Sequence, residues 1–217
     1  MKEKVLLFAG TFDPITSGHI LMLRQCVETE FFDHVWILPS GSRTDKTFNV
    51  SDDNRLKLCE IVAQELSKCH KGIKVSDYEL RLGRTIDSYF TMRHFLDTYP
   101  EYEFYFFIGS DILPQIFSWP YSDELVSITS FLIADREGYS ISHDDLMKLK
   151  RYELLSKLLE RKSRILETSP TSSTLVRRQL ADSVKCDEYG TLHPEVMKFI
   201  TQNSLYVSDV KMANTKT

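Results

Sequence analysis

The chain predicts a doubly wound α/β fold, Rossmann-like, in which a mostly parallel sheet carries helices on both faces and a helical C-terminal extension follows. Three observations carry that expectation. Short apolar runs alternate with amphipathic helical stretches from the first residues to about residue 185, the pattern of strand–helix–strand crossovers in a parallel sheet. The first run, Val5-Leu6-Leu7-Phe8-Ala9, gives way at a glycine to the start of a helix. The run Phe104-Tyr105-Phe106-Phe107-Ile108 is the most apolar of all, as expected of a central strand buried on both faces.

The remaining elements follow in order. Val35-Trp36-Ile37-Leu38 reads as a second strand, ended by Pro39-Ser40-Gly41. Residues 54–67 carry Leu56, Leu58, Ile61, Val62 and Leu66 at helical spacing, and Ile73-Lys74-Val75 makes a short strand. A helix is expected over 86–96, ending near Pro100, and a strand at Phe131-Leu132-Ile133-Ala134. The charged stretch 144–162 reads as a solvated peripheral helix, and Ile165-Leu166 as a last short strand. Helices are expected over 175–181 and after Pro194, a residue that suits a first helical turn. No linker divides the chain, so one domain is expected over 1–206, with a polar tail at 207–217.

Composition narrows the function. A chain of 217 residues can bury a sizeable core, and 42% hydrophobic with 27% charged residues is an ordinary globular balance. A net charge of -4 points away from nucleic acid as a partner and requires any phosphate-binding charge to be local. No apolar stretch is long enough to cross a membrane, and Met1-Lys2-Glu3-Lys4 runs into a strand without a cleavable signal. Cys26, Cys59, Cys69 and Cys186 show no paired spacing, which disfavours both a disulfide framework and zinc. The cytoplasm is the expected compartment. The sequence leaves a homo-oligomer open.

Chemistry concentrates in Gly10-Thr11-Phe12-Asp13-Pro14-Ile15-Thr16-Ser17-Gly18-His19, between the first strand and its helix. Helix-start N–H groups and the helix dipole favour anions, glycine permits close approach, and an imidazole can donate to developing negative charge. Asp111 follows the 104–108 strand and Arg136 the next one. All three belong at the carboxyl edge of the sheet, where doubly wound folds bind ligands. No G-x-G-x-x-G is present, so a dinucleotide-binding oxidoreductase is not supported.

The decapeptide resembles the G-T-F-D-P-(I/V)-(H/T)-x-G-H signature of the nucleotidylyltransferase superfamily. Further segments resemble the nicotinate/nicotinamide mononucleotide adenylyltransferases, in the right order and over almost the full length. They are Leu38-Pro39 followed by Lys46 and Arg55, then Gly109-Ser110-Asp111-Ile112-Leu113 with Trp119 beyond it, and the strand ending Arg136-Glu137-Gly138. Thr171-Ser172-Ser173-Thr174-Leu175-Val176-Arg177 and a Leu192-His193-Pro194-Glu195-Val196 ending with Leu205-Tyr206 complete the pattern.

The resemblance implies transfer of AMP from ATP to a pyridine mononucleotide, with Mg2+ carried on the triphosphate, reaching the protein at most through water at Asp111. It implies that Thr16, Gly18 and His19 face the triphosphate, His19 stabilising the α-phosphoryl group, while Gly10, Thr11, Phe12, Gly109 and Asp111 contact the nucleotide. Ser172, Ser173, Thr174 and Arg177 would grip the distal phosphates, with Lys46 and Arg177 joining His19 in catalysis. Lys46, Arg55, Thr85, Asp87, Leu113, Trp119 and Arg136 would hold the mononucleotide, with orienting the loop as the other role open to Arg55. Duller roles stand beside these: Trp119 as a core plug, Ser172 as a helix cap, Asp111 likewise, and Lys46 and Arg55 as surface charge.

Four positions depart from the pattern. Thr16 replaces the first histidine, Thr44-Asp45-Lys46 replaces Pro-His-Lys, Thr85-Ile86-Asp87-Ser88 only partly matches Y-T-I-D-T, and Thr171 replaces an isoleucine. Threonine at the first of these is familiar from phosphopantetheine adenylyltransferases. That acceptor and a non-catalytic nucleotide-binding relative are the competing readings.

Overall fold

A computed structural model describes residues 2–41, 48–181 and 190–207. Strand β1 (Glu3–Gly10) leads to helix α1 (Ser17–Glu28), and β2 (His34–Pro39) to α2 (Asp52–Ser67) and β3 (Ile73–Val75). Two helices, α3 (Tyr78–Arg81) and α4 (Ser88–Thr98), precede β4 (Tyr102–Gly109). A short 3-10 turn and α5 (Ser122–Ile128) connect it to β5 (Ser130–Ala134), followed by α6 (His143–Met147), β6 (Arg151–Leu154) and α7 (Leu155–Glu160). Helices α8 (Ser173–Ala181) and α9 (Pro194–Gln202) close the order.

The six strands pair in the order β3-β2-β1-β4-β5-β6, every pairing parallel. The direction of winding reverses between β1 and β4, which opens a crevice at their carboxyl ends. Register brings those ends level: Gly10 lies opposite Pro39, and Gly109 opposite Ala134.

Alternation along the strands divides the core in two. Leu6, Phe8, Ile37, Tyr105 and Leu132 pack with buried residues of α1, α2, α7, α8 and α9. Val5, Leu7, Trp36, Phe106 and Ile133 pack on the other face, against Met92 and Phe95 of α4 and Leu125 of α5. Both faces are covered, so the strands read as continuous apolar runs. Each fully buried aliphatic side chain contributes roughly 1.5–3 kcal/mol relative to exposure.

Local signals fix the helix ends. The Ser51 hydroxyl accepts from Asn54 N–H at 3.3 Å, and Asp52 and Asp53 in the first turn complement the dipole of α2. His193 caps α9 with its ring, Pro194 occupies the first turn, and Leu205 N–H to Ile200 O with Ser204 N–H to Thr201 O closes the helix.

Two expectations fail together. The stretch 144–162 is two short helices around strand β6, and Ile165 is 87% exposed and outside any strand. Strand β6 is an edge with one neighbour, and an edge tolerates the charges of Arg151 and Glu153. Its sequence therefore lacks the apolar run that marked the inner strands.

Gly72, between α2 and β3, sits at φ +78, and a Cβ there would lie 2.3 Å from the Asp33 carbonyl oxygen. We expect Gly72→Ala to destabilise the fold by about 2–3 kcal/mol, combining left-handed strain with a backbone clash. Urea unfolding checks this as a lower midpoint at constant slope, and an unmoved midpoint contradicts it.

Candidate active site

A cavity of about 830 Å³ lies at the carboxyl ends of β1, β2, β4 and β5. Its walls include Gly10, Thr11, Gly18, His19, Gly109 and Asp111 from the crevice itself. One side continues to Thr85, Asp87 and Trp119, and another to Arg136. Ten residues singled out from the sequence are thus brought together from five separate stretches of chain. Gly10 and Gly109 leave room where side chains would not fit. A Cβ on Gly10 would meet the Phe12 ring at 2.7 Å, and one on Gly109 the Asp111 carboxylate at 2.4 Å.

His19 is the chemically best-defined member. Its Nδ1 accepts the Thr16 backbone N–H at 3.0 Å, and the Thr16 hydroxyl lies 2.8 Å from the same nitrogen. An accepting Nδ1 places the ring proton on Nε2. The Phe12 ring meets the imidazole edge to face at 5.2 Å. Burial, and then the charge of Arg136, hold the imidazole pKa down at about 4. At neutral pH the ring is therefore an uncharged N–H donor on the cavity wall, beside the positive end of α1.

Arg136 donates to Asp111 at 2.7 Å, while its backbone N–H is received by Ser110 Oγ at 2.9 Å. The pair keeps a cation and a carboxylate at the cavity mouth. The Arg136 side chain is more than half exposed, so its value lies in guiding charge rather than in stability.

Several residues take other places than the sequence implied. Thr16 is fully buried and orients His19 instead of facing the cavity. Arg55 is also fully buried: it donates to Thr11 O at 2.7 Å and Asp52 at 2.6 Å, and packs over the Phe48 ring. It holds the motif loop from behind, off the cavity wall, in the loop-orienting role that the sequence also allowed. Leu113 and Phe12 turn into the core at 0% and 1% exposure, because the alternating apolar positions around them are claimed by the two core layers. Lys46 lies outside the described residues.

Ser172, Ser173, Thr174 and Arg177 are not on the cavity wall either. The Ser172 hydroxyl accepts from Leu175 N–H, the cap role that the sequence also allowed. Ser173 donates to Pro14 O at 2.8 Å, and Arg177 to Asp13 O at 2.6 Å and to Thr174 Oγ1. Residues 168–171, just before them, supply the wall. Together with Arg55, these donors engage the loop carbonyls of Thr11, Asp13 and Pro14, which would otherwise repel a phosphate.

Sequence reading missed other wall residues: Ser40, Glu79 and Asp135. Glu79 is 9% exposed and receives Thr91 Oγ1 at 2.7 Å and Gly41 N–H at 3.1 Å, tying the end of β2 to α4. The hydroxyl of Ser40 and one carboxylate oxygen of Asp135 are buried on that wall without a hydrogen-bond partner among the described residues. Adjacency to a strand end was the one signal available for Ser40 and Asp135, and Glu79, within α3, had none.

The lowered His19 pKa has a stability consequence. Between about 4 and the ordinary 6.5, the unfolded chain binds more proton than the folded one. The resulting penalty is absent above 6.5, grows as pH falls, and saturates below about 4. On lowering pH from 7 to 5, we expect the native chain to lose about 2 kcal/mol more than His19→Gln does. Urea unfolding at the two pH values measures it, and equal losses contradict the buried neutral ring.

Comparison with known proteins bears on the same region. A cytidylyltransferase-like family model matches residues 7–179. A probable nicotinate-nucleotide adenylyltransferase of Clostridium novyi is 35% identical over 184 residues, spanning 83% of this chain and 88% of that protein. A probable enzyme of the same name from Bacteroides thetaiotaomicron is 31% identical over 93% of this chain and 92% of its own length. Among solved structures, Plasmodium falciparum nicotinic acid mononucleotide adenylyltransferase complexed with NaAD superposes with a TM-score of 0.80 at 25% identity, covering 94% of this chain and 97% of that one. A putative nicotinate-nucleotide adenylyltransferase from Vibrio parahaemolyticus, at 17% identity and a TM-score of 0.66 over 95% of this chain and 96% of its own, shares the fold. With its motif loop, parallel sheet and near full-length relatives in agreement, the chain belongs to the cytidylyltransferase-like nucleotidyltransferases, in the nicotinate-nucleotide adenylyltransferase family.

Proposed function

We propose that this enzyme transfers AMP from ATP to nicotinate mononucleotide, forming the dinucleotide and releasing pyrophosphate. The observation that carries the reading is the neutral His19, its Nε2–H free on the wall of a cavity at the sheet's switch point. The acceptor's phosphate oxygen attacks the α-phosphorus in line, and the bond from that phosphorus to the α,β-bridging oxygen breaks, so that the β- and γ-phosphates leave as pyrophosphate. No covalent protein intermediate is required, so positioning and charge stabilisation do the catalytic work. His19 donates Nε2–H to an α-phosphoryl oxygen as its charge grows. Arg136 adds a cation nearby, and Thr11 and Gly18 bring the backbone close to the nucleotide.

Asp111, on the cavity wall, is the residue that would meet the water shell of a metal carried by the substrate. One carboxylate oxygen of Asp111 is engaged by Arg136. Mg2+ bound to ATP would neutralise triphosphate charge, and the Asp111 carboxylate would accept from its water shell.

Nicotinate is favoured over its amide by the wall at Thr85, Ile86, Asp87 and Ser88, the start of α4. Asp87 makes no side-chain cap there, so the first N–H groups of an 11-residue helix remain for a ligand carboxylate. Trp119 on the same side offers a face for the pyridine ring. Thr16, the residue shared with phosphopantetheine enzymes, is buried and lends that acceptor no support.

Pyrophosphate release from Mg-ATP decides between acceptors. Nicotinate mononucleotide should turn over fastest, nicotinamide mononucleotide more slowly and phosphopantetheine not at all. Turnover with phosphopantetheine alone would overturn the acceptor, and silence with all three would overturn the transfer. His19→Ala should lower kcat by about 100- to 1,000-fold, with ATP affinity changing by less than about tenfold. Equal losses in binding and rate would refute its role.

A further inference from the structure

The segment after α9 reaches back to the motif loop in a way that helix packing does not explain. Two residues beyond α9 have left-handed backbones, Ser204 at φ 50 and Tyr206 at φ 63. Ser204 is accounted for: it is the turn residue of the closing motif formed by Leu205 N–H to Ile200 O and Ser204 N–H to Thr201 O. Tyr206 lies outside that motif. A left-handed aromatic residue costs of order 1–3 kcal/mol and persists only where surroundings enforce it.

The enforcing contact is with the motif loop. The Tyr206 hydroxyl donates to Asp13 Oδ1 at 2.9 Å. The other oxygen, Oδ2, receives the Asn49 backbone N–H at 3.0 Å and its side-chain amide at 2.9 Å. Asp13 is 2% exposed, so its carboxylate depends on these donors in place of water. Its carbonyl is held by Arg177, and the next carbonyl, of Pro14, by Ser173. One residue therefore gathers contacts from α8, from the loop before α2 and from the chain beyond α9.

The same C-terminal region touches the loop a second time, where Ser17 N–H, at the first turn of α1, donates to Thr191 O at 3.0 Å. Asp13 and Ser17 bracket Thr16, and Thr16 supplies both contacts to His19 Nδ1. Burial and the charge of Asp13 raise the Tyr206 pKa well above its ordinary value, so the hydroxyl stays a donor throughout the working pH range.

We propose that Tyr206 is a positioning residue for adenylyl transfer: through Asp13 it fixes the loop on which Thr16 holds the His19 ring in its Nε2–H form. The idea rests on the adenylyltransferase reading for its kinetic arm and on geometry alone for its spectroscopic arm. It also gives the C-terminal segment a task at the cavity, although none of its described residues lines it.

Tyr206→Phe removes one hydroxyl and keeps the ring. We expect kcat to fall about tenfold, with KM for ATP and for the mononucleotide each within about threefold and the melting temperature within a few degrees. In ligand-free protein, 15N NMR of the His19 ring should show the single Nε2–H tautomer in the native chain and a mixture in Tyr206→Phe. Thr16→Val should lower kcat at least as much, and adding Tyr206→Phe to it should cost no more than about twofold further. An unchanged kcat, an unchanged tautomer, or full additivity with Thr16→Val would overturn the proposal. A purely structural role would move the melting temperature and leave the ring signal alone. If the native chain turned over no mononucleotide, the adenylyltransferase reading would fall, and the tautomer comparison would still decide this one.

Discussion

The buried carboxylate of Asp13 is the constraint on which the rest of this site depends. Out of water, a carboxylate is tolerated only with its oxygens hydrogen-bonded. The donors come from Asn49 and Tyr206, far apart in sequence. Satisfying one charge therefore locks the loop after β1, the entrance to α2 and the end of the chain into one arrangement. Arg55 and Arg177 complete it by engaging the carbonyls of Thr11 and Asp13. The loop's outward geometry is set from behind, by groups that a ligand need never meet.

That arrangement resolves an apparent mismatch between a chain of net charge -4 and a cavity suited to phosphates. The favourable potential is local. It comes from the first turn of α1 and from Arg136, with the two arginines behind the loop adding to it. Burial, and then the charge of Arg136, keep His19 unprotonated at neutral pH. In the proposed reaction a neutral donor stabilises charge as that charge appears and carries none of its own to hold the product. Thr16 serves this purpose from within the core, which explains how a residue without an imidazole stands at that position.

Much of the architecture was legible because burial leaves a repeating trace. The inner strands β1, β2, β4 and β5 are covered on both faces and appear as apolar runs, and α2 and α9 announce their starts with Ser51 and Pro194. Strand β6 left no such trace, since an edge with one partner and half-exposed side chains obeys weaker demands. Of the site, Gly10, Gly109, Asp111 and Arg136 at strand ends and His19 in the first turn of α1 all lie on the cavity wall where the sequence put them. Thr16 and Arg177, whose work is to support others, were misplaced, and for Arg55 the sequence left the ligand role and the loop-orienting role side by side. Arg55, Thr16 and Arg177 carry polar groups that suit a ligand as well as they suit a backbone carbonyl, and sequence spacing does not distinguish those partners.

By itself the sequence determined the fold class, the order of the first five strands along the chain, the motif loop between β1 and α1, and the family. All of these rest on periodicity, composition or contiguous motifs, which are local properties. Only the tertiary structure decided which polar side chains face the cavity and which face the core, because that depends on contacts between segments up to 193 residues apart, as Asp13 and Tyr206 are. It also decided the protonation and tautomer of His19, since both follow from what surrounds the ring: burial, the charge of Arg136 and the N–H of Thr16.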